Sequence, residues 1–383
     1  MKKPYLLLIL VSSIMIFYYG QIDITAEPFN EIPDIIHYRM MAEASPGFNP
    51  EVSRNFGYRI LSPWIVGILP MNIDLGFYLL TILIALMIPI FLFKFLKLFG
   101  LKENIAFFVT ILFMLNKYTY GFAIWDFYDI NDLVTHLFIL LFFIALKKEK
   151  FFYISAILII GVLNRETILF AVPAGLIYYW FKEKSPKKTY KLIAATLPAV
   201  IILTGVRTFI VTESSSGGGL TNAGGGLAHS FGKLHFDDNN KIFKPGTYYR
   251  IIINTFLPLA LLPVVFYREK IKFLKEYSYL MVFVVIYFLS CFLAGDNERL
   301  FAPVFPVFYL MIGYILQSRE LLTKRNKYVL LGLTILALPH HMYSRFVVPD
   351  KMITIVFSLA SLLFITVYSI YMKFRSNKSG DQL

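Results

Sequence analysis

Apolar stretches recur along the entire chain, and only short charged turns separate most of them. A dozen can be marked, at 4–20, 76–93, 104–119, 132–146, 151–163, 167–181, 192–211, 251–267, 277–294, 300–317, 328–339 and 352–371. Crossing about 30 Å of hydrocarbon takes about 20 helical residues, so 151–163 and 328–339 are short for that task. The expectation is an all-α polytopic membrane protein with about 11–12 transmembrane helices. No soluble segment is long enough to fold alone, so residues 1–383 read as a single integral membrane domain. Charged residues are only 16% of the chain, where a soluble domain carries about 25%.

The distribution of charge orients the spans. With the amino terminus cytoplasmic, the inner segments are that terminus, 94–103, 147–150, 182–191, 268–276, 318–327 and 372–383. They hold 24 of the 37 lysines and arginines but only 7 of the 24 acids. Cationic loops stay on the cytoplasmic side, which places both termini inside. The net charge of +13 is therefore mostly an orientation signal. Basic residues scattered over short turns form no continuous stripe, which argues against nucleic acid as a partner. Met1-Lys2-Lys3 followed by 4–20 has the outline of a signal peptide. It lacks a small-x-small site after Tyr19-Gly20, and an uncleaved first span is expected.

The single Cys291 allows no internal disulfide and no cysteine-based metal site. No Walker A, dinucleotide or HExxH motif occurs. No cofactor is implied, and no ligand motif supports a divalent metal. The glycine-rich stretches near 216–226 lack the lysine of a phosphate loop, and 212–250 reads as a flexible extracytoplasmic loop. It carries Lys233, His235, Asp237, Asp238, Lys241, Lys244 and Arg250.

Polar residues gather on the outer side. The first extracytoplasmic loop, 21–75, contains two helical patterns. From Ile32 to Ala44, Ile35, Tyr38 and Met41/Ala42 share one face, while Asp34, His37 and Met41 share another. Ser45-Pro46-Gly47 ends it. Tyr58 to Leu69 is apolar enough to lie at the interface, with Arg59 near its start and Trp64 suited to headgroup depth. In 116–132, Asp126, Asp129 and Asp132 recur every third residue among aromatics. Asp129 or Asn131 is equally suited to cap the following span, with Asp132 favouring its positive end. Asp126 is harder to explain that way. Arg165 and Glu166 form a charged junction between two apolar runs, either a simple interfacial pair or an anion-binding arginine oriented by Glu166. Arg207, Asp296, Glu298, Arg299, His340, His341 and Arg345 add further outer charge.

Carboxylates, arginines and aromatics at one outer rim suit a lipid-phosphate-linked sugar. Arginine forks bind phosphate, aromatics stack on sugar faces, and a carboxylate can take a proton from an acceptor hydroxyl. The run Asp34-x-x-His37-Tyr38-x-x-Met41-Ala42 followed by Tyr58-Arg59-Ile60-Leu61-x-Pro63 resembles the first outer loop of bacterial polytopic glycosyltransferases of the GT-C superfamily. Leu163-Asn164-Arg165-Glu166-Thr167 and Glu298-Arg299-Leu300-x-x-Pro303 are similar to other outer turns of such proteins. The resemblance implies two juxtamembrane helices in the first loop and a catalytic aspartate there, which falls on Asp34. The paired acids of other branches are missing between 21 and 75.

These readings converge on an extracytoplasmic site. It would transfer a sugar from a polyprenyl-phosphate donor to a lipid-linked or cell-surface glycan acceptor, among membrane lipids. Asp34 is the expected base, Arg59, Arg165 and Arg299 the phosphate ligands, and Glu166, His37, Tyr38, Asp126 and Glu298 the supporting residues. An O-antigen-polymerase-like protein would place its polar chemistry in two large later loops, whereas here the first loop is longest. A transporter or flippase would carry ionisable groups near mid-membrane. His136 is the lone mid-span candidate, and a helix–helix contact accounts for it.

Overall fold

The computed structural model describes residues 3–26, 32–210, 244–293, 297–336, 338 and 351–380. Among them the chain is helical and has no strand. A backbone in lipid must satisfy its own hydrogen bonds, and helices do so within one segment. The principal helices are α1 (Lys3–Tyr19), α2 (Pro33–Glu43), α3 (Leu61–Gly67), α4 (Ile73–Leu98), α5 (Glu103–Met114), α6 (Ile130–Lys147) and α7 (Phe151–Asn164). They continue with α8 (Pro186–Phe209), α9 (Tyr267–Glu276), α10 (Ser278–Ser290), α11 (Phe305–Ser318), α12 (Lys324–Ile335) and α13 (Lys351–Gly380).

Among the described residues five segments are long and apolar enough to cross a membrane: Ile73–Leu98, Phe127–Lys147, Pro186–Phe209, Asn297–Ser318 and Ile355–Arg375. Counting each of two bent pairs as one span raises the number to seven. These are Glu103–Met114 with Lys117–Trp125, bent by 78°, and Tyr267–Glu276 with Ser278–Ser290, bent by 101°. The chain is a polytopic membrane protein. Among the described residues continuous helices of spanning length are fewer than the 11–12 expected, because several apolar stretches are broken. Residues 167–181 divide into a 3-10 turn (Glu166–Ala171), a short helix (Val172–Ile177) and a π turn (Tyr178–Lys182). The stretch 251–267 divides similarly around Pro258 and Pro263. Proline removes a backbone donor and clashes with the preceding turn, while hydropathy registers only its carbon.

Residues 212–243 of the glycine-rich loop lie outside the described residues, with Lys233, His235, Asp237, Asp238 and Lys241. So do Asp296, His340, His341 and Arg345. The end of that loop is helical, over Pro245–Tyr248 and Tyr249–Ile253.

The chain divides into two compact units. Unit 1 is Met1–Gly20, Pro89–Trp125 and Ile242–Leu383; unit 2 is Gln21–Ile88 and Asp126–Lys241. Each is assembled from separated stretches, so no boundary residue or composition shift announces them where a single domain was expected. The change within α4 falls at Pro89.

In unit 2, α7 packs between α6 and α8. A Cβ on Gly175 would sit 2.9 Å from Leu192 and 3.0 Å from Leu146, so glycine permits that approach. Helix α6 is buried along most of its length, whereas α8 exposes Leu197, Ile201 and Phe209. Exposed apolar side chains on so long a helix suit lipid rather than water. The loop helices α2 and α3 pack on each other. Ile35, Tyr38, Met41 and Ala42 are buried, the face expected from their spacing. Met41, Val52, Ile60 and Ile210 form a small core flanked by Phe56, Tyr58 and Trp64.

In unit 1, α5 packs on α1 and α11, α9 packs on α11, and α13 on α12 and on Leu262–Val265. Phe113 is the hub of its aromatic core, meeting Tyr120, Phe305 and Tyr309 with ring centroids 4.8–5.5 Å apart.

Candidate functional site

The polar residues of unit 2 form a connected group at the ends of α2, α6, α7 and α8 and the start of α3. Arg165 breaks from α7 into extended backbone (φ −163°, ψ 127°) before the 3-10 turn Glu166–Ala171. Successive side chains on extended backbone point opposite ways, and here they diverge. Arg165 donates to Asp132 on the first turn of α6, while Glu166 meets Arg207 near the end of α8 at 3.2 Å. The expected pairing, with Glu166 orienting Arg165, is therefore replaced by two cross-helix ion pairs. The Arg165–Asp132 pair is almost dry, with side chains 11% and 9% exposed; Glu166 keeps 39% of its surface.

Arg59 stands between these pairs and α2. Its Nη1 donates to Tyr38 Oη at 2.9 Å. Among the described residues its buried Nε has no hydrogen-bond partner, and the same holds for Arg207 Nε and for the amide nitrogen of Asn131. Among the described residues Arg59 makes no ion pair. Burial works against its charge, but Tyr38, Glu166 and Asp132 outweigh it and hold the guanidinium above the ordinary arginine value. Burial likewise works to raise Glu166, and the attraction of Arg59, Arg207 and Arg165 prevails, so its carboxylate lies below the ordinary 4.5. The Tyr38 phenol is pushed up by burial; Arg59 pulls it back, and Asp34 and Asp129 add to the rise.

Asp34 is half-buried in the first turn of α2, one turn before Tyr38. His37 stacks on Phe56 at 4.7 Å, and its buried Nδ1 has no hydrogen-bond partner among the described residues. The three aspartates of 126–132 are all buried. Asp126 precedes the 3-10 turn Phe127–Asp129, whose last residue donates its backbone N–H to the Asp126 carbonyl at 2.9 Å. Asp34, His37, Tyr38, Arg59, Asp126, Arg165 and Glu166 thus all belong to unit 2.

Beneath the ion pairs lies a buried amide knot. Ser62 donates to Asn131 at 2.9 Å, and Asn164 donates to the Asn131 carbonyl at 2.9 Å and to Thr135 at 3.0 Å. It ties α3, α6 and α7 together. Nearby in sequence terms to none of these, Arg39 donates to Asp74 at 2.9 Å, and Tyr128 donates to the same carboxylate. Arg39, Asp74 and Tyr128 were missed in the sequence because no spacing links α2, α4 and the 3-10 turn.

Arg299 and Glu298 belong to unit 1. The Arg299 guanidinium lies over the Phe122 ring at 5.2 Å. Glu298 is buried and accepts from Arg250 at 2.7 Å and Asn254 at 3.0 Å. Elsewhere in unit 1 a cleft of about 630 Å³ is lined by Pro4, Leu7, Phe107, Phe108 and Ile111 with Lys3 and Lys327. It is apolar and holds none of the expected site residues. Among the described residues no three His, Cys, Asp or Glu side chains are grouped to hold a metal. No protein-family model and no curated protein matches the chain.

Proposed function

We propose that this protein is a multi-pass membrane glycosyltransferase of GT-C-like plan, moving a sugar from a polyprenyl-phosphate donor to a lipid-linked or cell-surface glycan acceptor. The reading includes both termini in the cytoplasm, α2 and α3 as juxtamembrane helices, and the site on the extracytoplasmic face. One observation carries it. The guanidinium groups of Arg59 and Arg207, both attracted by the Glu166 carboxylate, each hold a buried Nε–H with no acceptor among the described residues. A buried donor left unsatisfied costs about 1–3 kcal/mol, and phosphate oxygens are the ligand that matches an arginine fork.

The chemistry follows from the remaining groups. Asp132 is engaged by Arg165 and Glu166 by Arg207, which leaves them as structural counter-charges. Asp34 makes no ion pair among the described residues and is partly exposed, as a base must be to reach an acceptor. The acceptor hydroxyl oxygen attacks the anomeric carbon and Asp34 takes its proton. The bond from that carbon to the phosphate oxygen breaks, and the lipid phosphate leaves with the electron pair beside Arg59 and Arg207. General-base assistance contributes about 10²- to 10⁴-fold.

The test is transfer of a labelled sugar from polyprenyl phosphate by purified protein in vesicles. Asp34→Asn should lower turnover by about 10²-fold or more with unchanged melting. Arg59→Lys should weaken donor saturation, because lysine cannot present the planar fork. Near-normal turnover by the first variant removes Asp34 as base, and unchanged donor saturation by the second removes the phosphate role.

A further inference from the structure

The cleft of about 630 Å³ in unit 1 is walled by the first turns of three helices, α1, α5 and α12, with α5 packed on the other two. Its lining is graded by the helical period. On α1, Lys3 is followed one turn on by Leu7, and on α12 Lys327 is followed by Leu331. On α5, Glu103 is followed by Phe107 and Asn104 by Phe108. Residues four apart share a helix face, so each helix gives the cleft a polar residue at its mouth and an apolar one deeper. Ile111 carries the apolar wall one turn further. The rise from Glu103 to Ile111 is about 12 Å, within the ~15 Å that is one leaflet's half of the hydrocarbon core. Leu7 and Tyr328 are 38% and 65% exposed, so the cleft opens to the surface.

We propose that this cleft holds an acyl chain of an anionic phospholipid, whose phosphate meets the amines of Lys3 and Lys327 at the mouth. The charge there is positive. Glu103 is engaged by Lys97, whereas Lys3 and Lys327 make no ion pair among the described residues. A lysine ammonium is a point charge on a flexible four-carbon stem, so two of them can close on one phosphate from separate helices. A free anion would leave the apolar wall uncovered, and a bare hydrocarbon would leave both amines without a counter-charge. A lipid with a charged head satisfies both ends of the gradient. Tyr328 at the mouth suits headgroup depth, where tyrosine is enriched. The charge pattern puts this end in the cytoplasmic leaflet, which is the anionic one. That leaflet assignment rests on the orientation proposed above, but the binding itself does not depend on it or on sugar transfer.

The experiment is native mass spectrometry of the full-length protein in detergent, titrated separately with dioleoyl phosphatidylglycerol and dioleoyl phosphatidylcholine. The chains are the same, so the difference reads the headgroup. The anionic lipid should bind about 20-fold more tightly, and Lys3→Gln or Lys327→Gln should each remove about fivefold of that preference. Leu7→Trp keeps both lysines but narrows the cleft from a partly exposed position, so it should weaken binding of both lipids. Equal binding of the two lipids by the wild type overturns the proposal. So does a preference that survives in the double lysine variant, or unchanged binding by Leu7→Trp. Displacement by inorganic phosphate would make this a site for a free anion, and displacement by an equal amount of polyprenyl phosphate would make it the carrier lipid's. A dimer that forms in place of lipid-bound monomer would give the cleft to a second copy of the chain. Each of these three results also overturns it. No sugar donor is present, so failure here is read apart from loss of transfer through Asp34 or Arg59.

Discussion

Asp132 and Arg165 sit where neither charge could stand alone, their side chains about nine-tenths removed from solvent. Breaking a buried pair costs about 3–5 kcal/mol, because one charge is left uncompensated. Asp132→Asn should therefore lower the melting temperature markedly, while Asp132→Leu with Arg165→Met should cost less than either change alone. A double-variant cost equal to the sum of the two single costs would mean that the two side chains do not interact. Glu166 supports a different prediction. Its carboxylate is held below 4.5 by Arg59, Arg207 and Arg165 against the opposing effect of burial. A depressed folded value stabilises above the unfolded value and is lost as pH falls through the folded one. The melting difference between wild type and Glu166→Gln should be full at neutral pH and shrink below about 4.5. For a partly solvated pair it should amount to no more than about 1 kcal/mol. A difference that does not change with pH would show that Glu166 acts by packing. The sequence revealed Arg165 and Glu166 as an unusual junction but not their partners. Those were hidden because extended backbone at Arg165 separates neighbours that a helix would have kept on nearby faces.

At the scale of elements, the first loop was the most legible part of the chain. Helices were expected at 32–44 and 58–69 and are found at Pro33–Glu43 and Leu61–Gly67, with a short extra helix at Arg54–Gly57. A 3.6-residue apolar period dictates which face of α2 is buried, so Ile35, Tyr38 and Met41 could be placed without coordinates. What the period cannot show is how closely two helices approach. Gly67 marks that distance: a Cβ there would lie 2.1 Å from the Ala42 carbonyl oxygen and 2.5 Å from Ser45 Cβ. The first of these is backbone and cannot rotate away. Gly67→Ala should force α2 and α3 apart, with an overpacking cost of about 1–3 kcal/mol. Because Tyr38 on α2 holds Arg59 ahead of α3, donor affinity should fall with stability. Wild-type melting and donor saturation in this variant would show that the contact relaxes freely. The stretches 167–181 and 251–267 were less legible, since 3-10, α and π turns share the same apolar composition.

For the whole molecule, membrane residence was legible because lipid imposes one solution on the backbone. The two units were not, since each is assembled from stretches far apart in sequence. Orientation rests on a separate physical argument. Lysine and arginine concentrate in alternate turns, and the acids that matter for the proposed site lie in the others. Placing Asp34, Arg59 and Arg165 outside requires Glu51 to be extracytoplasmic and Lys187 cytoplasmic. Both positions are exposed, and the native Cys291 is buried, so single cysteines introduced there report cleanly. In intact cells a membrane-impermeant maleimide should label Glu51→Cys, and should label Lys187→Cys only after lysis. The reverse pattern would put the arginines of unit 2 on the cytoplasmic face. Nucleotide sugars would then compete with a lipid carrier as donor, and the case for a polyprenyl-phosphate substrate would lose its reason. Labelling of both from outside would mean that an odd number of crossings between 51 and 187 has been miscounted. The broken stretch at 167–181, with no single helix of spanning length, is where that error would lie.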